Sequence, residues 1–303
     1  VMKEMDGWPK TDANLILIFE ILLMTAFLIM QATDLNLQNA AYPHYTQAGS
    51  FPISSWIAPL FSALDPETTF LIERGMWWFH ILGILAFLNY IPYSKHFHIL
   101  LAFPNTYFSN LKPKGAFTNM AAVTKEVKMM MDPNADPFAA PAEGEEDEEP
   151  QRFGAKDVND LNWVQLMNAY TCTECGRCTS ECPANQTGKL LSPRKIMMDT
   201  RDRLEEYGEN IAKNGPDNHD GKFLLDDYIS REELWACTSC NACTEACPIN
   251  IDPLSIILDM RRYLVMEESA APTELNMMFS NVENNGAPWQ FPAVDRLNWK
   301  DEA

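Results

Sequence analysis

The stretch of sequence that decides the fold is a cysteine run that occurs twice. The first copy reads Cys172-Thr-Glu-Cys175-Gly-Arg-Cys178-Thr-Ser-Glu-Cys182-Pro183, and the second reads Cys237-Thr-Ser-Cys240-Asn-Ala-Cys243-Thr-Glu-Ala-Cys247-Pro248. Both have the spacing C-x2-C-x2-C-x3-C-P, and together they contain all 8 cysteines of the 303 residues. A repeat of this kind indicates two equivalent metal-binding sites.

This spacing is typical of proteins that hold two [4Fe–4S] clusters. Short loops let three sulfurs of one run converge on one cluster, and the fourth cysteine ligates the cluster of the other run. The sequence therefore predicts one cluster on Cys172, Cys175, Cys178 and Cys247. It predicts a second on Cys237, Cys240, Cys243 and Cys182. Because such clusters carry electrons, the predicted role is electron transfer.

Zinc and disulfide bonds are the alternative uses of closely spaced cysteines. Zinc takes C-x2-C pairs, or four cysteines with longer gaps, so the third and fourth cysteines of each run would be surplus. Disulfides suit small secreted scaffolds, whereas this chain is large and acidic and has no evident signal peptide. Iron–sulfur ligation fits the pattern better than either, and it indicates a reducing compartment.

Charge and composition exclude one class of partner and predict a linker. The formal net charge is −19 at pH 7, whereas proteins that bind phosphate backbones need basic surfaces, so no nucleic-acid partner is expected. Residues 132–156 are rich in Pro, Ala, Asp and Glu, including the run EGEEDEE at 143–149. Since such a segment buries little, residues 105–156 are predicted to be a linker with an acidic disordered stretch.

Two apolar segments predict a membrane domain over residues 1–104. Residues 15–33 and 75–93 each supply about 19 mostly apolar residues, enough to cross a bilayer core. Residues 51–64 are shorter and contain two prolines, which favours an interfacial or re-entrant piece. The alternative is two buried helices of a soluble domain.

The distribution of basic residues predicts the orientation of the two spans. Lysines precede the first span and follow the second, while residues 34–73 contain no Lys or Arg. Positive charge is enriched on the cytoplasmic side. We therefore expect a multi-pass protein of the bacterial cytoplasmic (inner) membrane, with the cysteine domain on the cytoplasmic side.

Two histidines are candidate cofactor ligands, because histidine inside a membrane helix is usually functional. His80 and His98 are 18 residues apart, which is five turns if one helix runs through both. They would then share a face about 27 Å apart, as two stacked b-type haems require. His96 would point to the opposite side, and Pro92 could kink such a helix. The alternative is that His80 is a satisfied interior histidine and His98 an interfacial one.

Residues 74–99 resemble the last core helix of the cytochrome b-type gamma subunit of respiratory nitrate reductase. The shared features are an apolar helix, two histidines at this separation, and a proline plus a basic residue before the second histidine. The resemblance implies that His80 and His98 are axial ligands of haem b, with their partner histidines on an earlier helix. Residues 15–33 contain no histidine, and the sequence begins at Val1. We therefore expect either an amino-terminally incomplete chain or a relic helix that binds no haem.

Residues 157–275 are predicted to form an α-helical domain around the cysteine runs. Helix start signals stand at Ser192-Pro193, at Ser230–Glu233 and at Asp252-Pro253, whereas strand signals are weak. The 54 residues between Cys182 and Cys237 are mostly helical in pattern, followed by a polar loop. The predicted fold is thus mainly α: transmembrane helices, then an α-helical ferredoxin domain with two [4Fe–4S] clusters, then an extended tail over residues 276–303.

The phrase Cys182-Pro-Ala-Asn-Gln-Thr-Gly-Lys-Leu-Leu-Ser-Pro-Arg194-Lys resembles the α-helical ferredoxin domain of the heterodisulfide reductase, anaerobic glycerol-3-phosphate dehydrogenase and glycolate oxidase iron–sulfur subunits. The resemblance covers about residues 160–265. Those families often add CCG motifs that carry the catalytic cluster, and this sequence has no cysteine left for one.

The whole chain resembles membrane-anchored iron–sulfur proteins that join a nitrate-reductase-gamma-like membrane domain to a dicluster ferredoxin domain. This resemblance implies an oxidoreductase subunit whose catalytic module, a CCG-domain or flavin-containing redox subunit, lies on another chain.

The predicted function is membrane-bound electron transfer between a quinone or haem b pool and a cytoplasmic redox partner. The sequence has no flavin or nucleotide fingerprint, so no catalytic residue is assigned. The alternative is a non-catalytic iron–sulfur redox sensor or a structural metal-binding membrane anchor. Arg177, Lys189 and Arg194 are expected to raise cluster potentials or to dock an acidic partner. Arg201 is expected to be a solubilising surface residue.

Overall fold

The computed structural model describes residues 7–113, 115–133, 152–216 and 218–301. Within these ranges every regular element is a helix and there is no β-strand, which confirms the mainly α prediction. The chain divides into two compact units, Val1–Leu101 and Ala102–Ala303. The predicted acidic stretch at 143–149 lies outside the described residues.

Two long apolar helices pack against each other in the first unit. Helix α1 covers Trp8–Asn39, a short α2 covers Ser54–Ile57, and α3 covers Pro66–Tyr90. Helix α3 begins with a proline, and the side chain of its N-cap residue Asp65 accepts a hydrogen bond from the Thr68 N–H at 2.9 Å.

These helices leave much of their apolar surface uncovered. The segments Trp8–Asn39 and Pro66–Tyr93 are each long and apolar enough to cross a membrane, judged by length and composition. Ile21 and Leu71 are 64% and 68% exposed within the unit. Such surfaces are costly in water and favourable in lipid, where a helix also satisfies its own backbone. Both predicted spans, 15–33 and 75–93, fall inside these segments.

Polar contacts tie α3 to α1 at one end and to the loop after α1 at the other. The carboxylate of Asp12, itself buried, accepts hydrogen bonds from the hydroxyl of Tyr90 and, at 3.0 Å, from that of Ser94. At the opposite end the Tyr45 hydroxyl donates to the buried Glu73 carboxylate at 2.7 Å, and Arg74 pairs with the same carboxylate. Because each buried carboxylate has hydrogen-bond partners, its burial costs less free energy than that of an unpaired charge.

Helix α4, His98–Tyr107, leads into the helices of the second unit. Those helices are α5 (Ala121–Met131), α6 (Trp163–Thr171), α7 (Arg177–Ser180), α8 (Pro183–Gln186), α9 (Pro193–Asn214), α10 (Arg231–Ala236), α11 (Ala242–Glu245), α12 (Pro253–Met266) and α13 (Thr273–Asn285). The three predicted helix starts are confirmed, because Ser192, Ser230 and Asp252 all cap helices through their side chains.

The second unit is built as an internal repeat around the cysteine runs. In each half a capped helix (α6 or α10) leads into the run, a one-turn helix (α7 or α11) lies inside it, and a proline-initiated helix (α9 or α12) follows. The core between them is fully buried and consists of Ile196, Met197, Leu234, Ile256, Ile257 and neighbouring apolar residues. The fold therefore holds both runs against one shared core.

A buried arginine ties α9 to segments that are distant in sequence. The Arg203 side chain is 0% exposed and donates to the Asp157 carboxylate at 2.7 Å and to Asp220 at 3.0 Å. It also donates to the Lys222 carbonyl at 2.7 Å. One guanidinium thus fixes the segment before the first run and the loop after α9.

Replacing this arginine tests its structural role. In Arg203→Met the carboxylate of Asp157 stays buried without its cation, so we expect the free energy of unfolding to fall by about 3–5 kcal/mol. Urea unfolding of the full chain in detergent, followed by helical circular dichroism, measures this. The control is Lys213→Met on the same helix, whose exposed ion pair with Glu209 contributes nothing measurable. Equal urea midpoints for the two variants would contradict the structural role.

Candidate iron–sulfur centre

The two cysteine runs follow the same backbone course. The third and fifth residues of each run have left-handed φ angles: 57° at Glu174 and 79° at Gly176, then 54° at Ser239 and 61° at Asn241. Left-handed φ suits Gly and Asn but is uncommon for other residues. At Gly176 a Cβ would also lie 2.9 Å from Nη1 of Arg194. These turns allow three cysteines to follow one another around a tight loop.

Equivalent hydrogen bonds close each run onto the helix that follows it. The Thr179 hydroxyl lies 2.9 Å from that of Ser192, the N-cap residue of α9. The Thr244 hydroxyl donates to the Asp252 carboxylate, the N-cap of α12, at 3.3 Å. The sequence repeat is therefore also a structural repeat, although the loop from the first run to α9 is longer than the loop from the second run to α12.

Five cysteines that come from both runs line one cavity. Four of them, Cys172, Cys175, Cys178 and Cys247, are the set that the sequence predicts for one cluster, and the fifth is Cys243. The remaining lining residues are Thr173, Gly176, Arg177, Arg194, Met197, Ile251 and Pro253. The cavity thus joins three cysteines of the first run to two of the second, Cys243 and Cys247.

The second predicted set is also close together. Burial raises the pKa of the Cys237 thiol, and the sulfurs of Cys182 and Cys240 raise it further. Burial raises the pKa of Cys243 to about 12, and Cys237 and Cys178 add to the shift. Cys237 therefore interacts with Cys182 and Cys240, and Cys243 interacts with Cys237. The influence of Cys178 on Cys243 indicates that the two sets are neighbours.

The chemistry of these thiols fits ligation of iron. Burial raises the pKa of Cys172 to about 12 and that of Cys178 to about 11, so thiolates are unfavourable there without a compensating cation. Iron supplies that charge. Backbone N–H groups of Ser239 and Ile251 donate to the sulfurs of Cys237 and Cys247, each at 3.4 Å. Hydrogen bonds of this type contribute to the potential of a cluster.

Among the described residues, no group of three or more His, Cys, Asp or Glu side chains is placed to hold one ion. The ligands of a [4Fe–4S] cluster bind four different irons and so do not converge on one point.

The basic residues near the runs differ from expectation at one position. Arg201, predicted to be a surface residue, has a side chain only 14% exposed that pairs with Glu174 at 2.7 Å. The prediction was wrong because α9 lies against the first run, which covers this face of the helix. Arg177 and Arg194 line the first cavity as expected for cluster neighbours, whereas Lys189 is simply exposed.

Arg261 was not predicted as a functional residue, although a repeated sequence pattern identifies it. Both proline-initiated helices share the pattern P-x5-D-x-R, at Pro193–Arg201 and Pro253–Arg261. Arg261 donates to the Leu234 carbonyl at 3.0 Å and to the Ser239 hydroxyl at 3.2 Å. Each arginine therefore reaches the third residue of the cysteine run in its own half.

The two histidines do not share one helix. Helix α3 ends at Tyr90, and 3-10 turns at Ile91–Tyr93 and Lys95–Phe97 separate it from α4, which begins at His98. The expected five continuous turns are therefore wrong, since Pro92 removes a backbone donor and ends the α-helical pattern.

Both side chains are nevertheless arranged alike. The Nδ1 atoms of His80 and His98 lie 3.0 Å and 2.7 Å from the carbonyl oxygens of Leu23 and Lys95. Donation from Nδ1 leaves Nε2 as the nitrogen available to a metal.

Comparison with known proteins supports the iron–sulfur interpretation. Residues 171–251 match the 4Fe-4S dicluster domain. The chain is 30% identical to the "Probable iron-sulfur-binding oxidoreductase FadF" of Bacillus subtilis, over 96% of this chain and 41% of that protein. It is 28% identical to the "EtfAB:quinone oxidoreductase" of Syntrophomonas wolfei, over 99% of this chain and 41% of that protein.

A third relative is the "Probable membrane-anchored ferredoxin" of Chromohalobacter salexigens, 34% identical over 48% of this chain and 24% of that protein. Subunits C and D of heterodisulfide reductases from Methanosarcina also match, which confirms the resemblance to that class of iron–sulfur subunit. No solved structure matches the chain significantly. The chain spans about two fifths of the length of the first two relatives.

Double substitutions test the crossed assignment of the fourth cysteine. Cys175→Ala with Cys178→Ala removes one cluster, so iron should fall from about eight to about four atoms per chain. Adding Cys247→Ala to this pair should cost no further iron, because its cluster is already lost. Adding Cys182→Ala instead should remove ligation from the second cluster and most of the remaining iron.

Iron analysis of the purified full chain reads out this result. The opposite pattern, with Cys247→Ala costing iron and Cys182→Ala costing none, would mean that each run supplies all four ligands of its own cluster.

Proposed function

We propose that this chain is a membrane-bound electron-transfer subunit that passes electrons through two [4Fe–4S] clusters. The observation that carries the proposal is the cavity at which Cys172, Cys175 and Cys178 meet Cys247, inside a segment that matches the 4Fe-4S dicluster domain. In this proposal the second cluster is held by Cys237, Cys240, Cys243 and Cys182.

Crossed ligation would suit a relay of electrons. Each cluster takes one ligand from the run of the other, so two short loops hold the clusters side by side. The influence of Cys178 on the pKa of Cys243 supports this adjacency, because these residues belong to different predicted sets.

The membrane is the proposed location of the first unit. Two apolar helices and a relative named as a membrane-anchored ferredoxin support this placement. We further propose a multi-pass arrangement in a bacterial cytoplasmic membrane, with the clusters on the cytoplasmic side. The absence of Lys and Arg from residues 34–73 supports that orientation.

A quinone and a second redox protein are the proposed partners. One relative is named as a quinone oxidoreductase, and others are subunits of heterodisulfide reductases. Electrons would therefore pass between a membrane quinone and a CCG-domain or flavin-containing module. We place that catalytic module outside the residues of this chain, whose own eight cysteines are all assigned to the clusters.

Counting iron and sulfide tests the proposal. The full chain, purified without oxygen in detergent, should contain about eight iron atoms and about eight acid-labile sulfides. Dithionite should bleach the visible absorption of the clusters, and a quinone analogue should restore it. Stoichiometric zinc without sulfide would instead indicate a structural anchor. Clusters that form but do not return their electrons to any quinone would favour a redox sensor.

Axial ligation of haem b by His80 and His98 stays a prediction. Its support is the contact of each Nδ1 with a backbone carbonyl, which orients Nε2 as the metal-binding nitrogen, while the partner histidines that complete such sites are not present in α1. A version of the chain that carries the upstream segment of a close relative should show haem b by the pyridine haemochrome assay, with loss in His80→Ala. The absence of haem b from that version would remove both histidines from the site.

A further inference from the structure

The two cysteine runs differ in charge at their third position. Glu174 occupies this position in the first run and Ser239 occupies it in the second. Both residues have the left-handed φ that the loop requires, and each stands next to a cysteine ligand. The chain therefore contains two copies of one loop, one with a carboxylate and one without.

Glu174 is buried at a cost. It is only 2% exposed, and its Oε1 accepts a hydrogen bond from Arg201 at 2.7 Å. Its Oε2 is buried without a hydrogen-bond partner among the described residues. A buried carboxylate with one oxygen lacking a hydrogen-bond partner costs free energy, and so does a left-handed φ at a residue other than glycine. The serine of the second run shows that the loop forms without the carboxylate, so folding alone does not explain it.

The arginines facing these two residues are equivalent in position but not in charge balance. Arg201 pairs with Glu174 and also with the exposed Asp202 at 3.2 Å. Arg261 contacts only neutral groups in the described part of the chain: two backbone carbonyls, the Ser239 hydroxyl and the Trp235 ring. A positive charge thus faces the second run unopposed, whereas its counterpart at the first run is neutralised.

Reduction adds one electron to a cluster, from [4Fe–4S]²⁺ to [4Fe–4S]⁺, so nearby positive charge favours the reduced form and nearby negative charge opposes it. Net charge around a cluster is one of the determinants of its potential. Burial strengthens the effect, because the intervening dielectric is lower than that of water. Arg177 and Arg194 also line the first cavity and add positive charge there. The contribution of Glu174 is therefore defined as the change in the potential of this cluster when only the charge of Glu174 is removed.

We propose that Glu174 lowers the reduction potential of the cluster bound by Cys172, Cys175, Cys178 and Cys247, by cancelling the charge of Arg201. Arg261 acts without such opposition on the other cluster. This assignment rests on the proposed function, and it makes Glu174 a residue that differentiates two otherwise equivalent sites. Compared with an uncharged residue at this position, Glu174 makes the first cluster harder to reduce.

Three single substitutions separate this role from a structural one. Glu174→Gln removes the charge but keeps an oxygen that accepts the Arg201 hydrogen bond. Ser239→Glu introduces the carboxylate into the second run. Glu181→Gln is the matched control, because Glu181 lies in the first run but is exposed, and water screens its charge.

Redox titration of the full chain, followed by EPR and with the electrons supplied by dithionite, measures both midpoint potentials. Glu174→Gln should increase the ratio of reduced to oxidised first cluster at a fixed potential by about tenfold, which is about 59 mV for one electron. The midpoint potential of the second cluster should not change in this variant. Ser239→Glu should lower that other midpoint, while Glu181→Gln should move neither by a comparable amount.

Iron and sulfide content distinguish the possible failures. If Glu174→Gln binds as much iron and sulfide as the parent but shifts no midpoint beyond the Glu181→Gln control, the role of Glu174 is overturned and the electron-transfer proposal stands. If the unsubstituted chain itself holds no cluster, both the role of Glu174 and the electron-transfer proposal are contradicted. If the Ser239→Glu variant does not bind its clusters, the comparison of the midpoint potentials of Glu174→Gln and Glu181→Gln still tests the role of Glu174.

Discussion

The meeting of the two cysteine runs is the constraint on which the rest of the second unit depends. Cysteines from both runs line one cavity, so the two loops lie against each other there. Polar contacts between the surrounding helices also cross from one half of the repeat to the other. Gln165 at the start of α6 donates to Asp259 on α12 at 2.7 Å, and Glu233 at the start of α10 pairs with Lys195 on α9 at 3.0 Å. Each half of the repeat thus supports the cysteine loop of the other.

Local chemistry explains how much of this the sequence could predict. Cysteine spacing and the caps at Ser192, Ser230 and Asp252 depend on neighbouring residues alone, and all three helix starts agree with the structure. The ion pairs of Arg201 and Arg203 were not predicted, because they depend on which distant segments lie against α9. The histidine geometry failed for a local reason: the spacing was measured along a helix that ends before Pro92.

Charge is what distinguishes the two halves of the repeat. The backbone turns, the threonine contacts and the helix caps are the same in both, so the sites are alike in shape. Their charges are not alike, since only the first run carries a buried carboxylate beside its ligands. A repeat with equal geometry and unequal charge is suited to holding two clusters at different potentials.

The most direct test of the central claim is the EPR spectrum of the fully reduced chain. Two reduced [4Fe–4S] clusters that share crossed ligands lie close together, so their electron spins must interact. We expect a spectrum broadened and split by this interaction, which simplifies to one uncoupled signal when Cys175→Ala and Cys178→Ala remove the first cluster. Two sharp, independent signals from the parent chain, or none at all, would contradict the account.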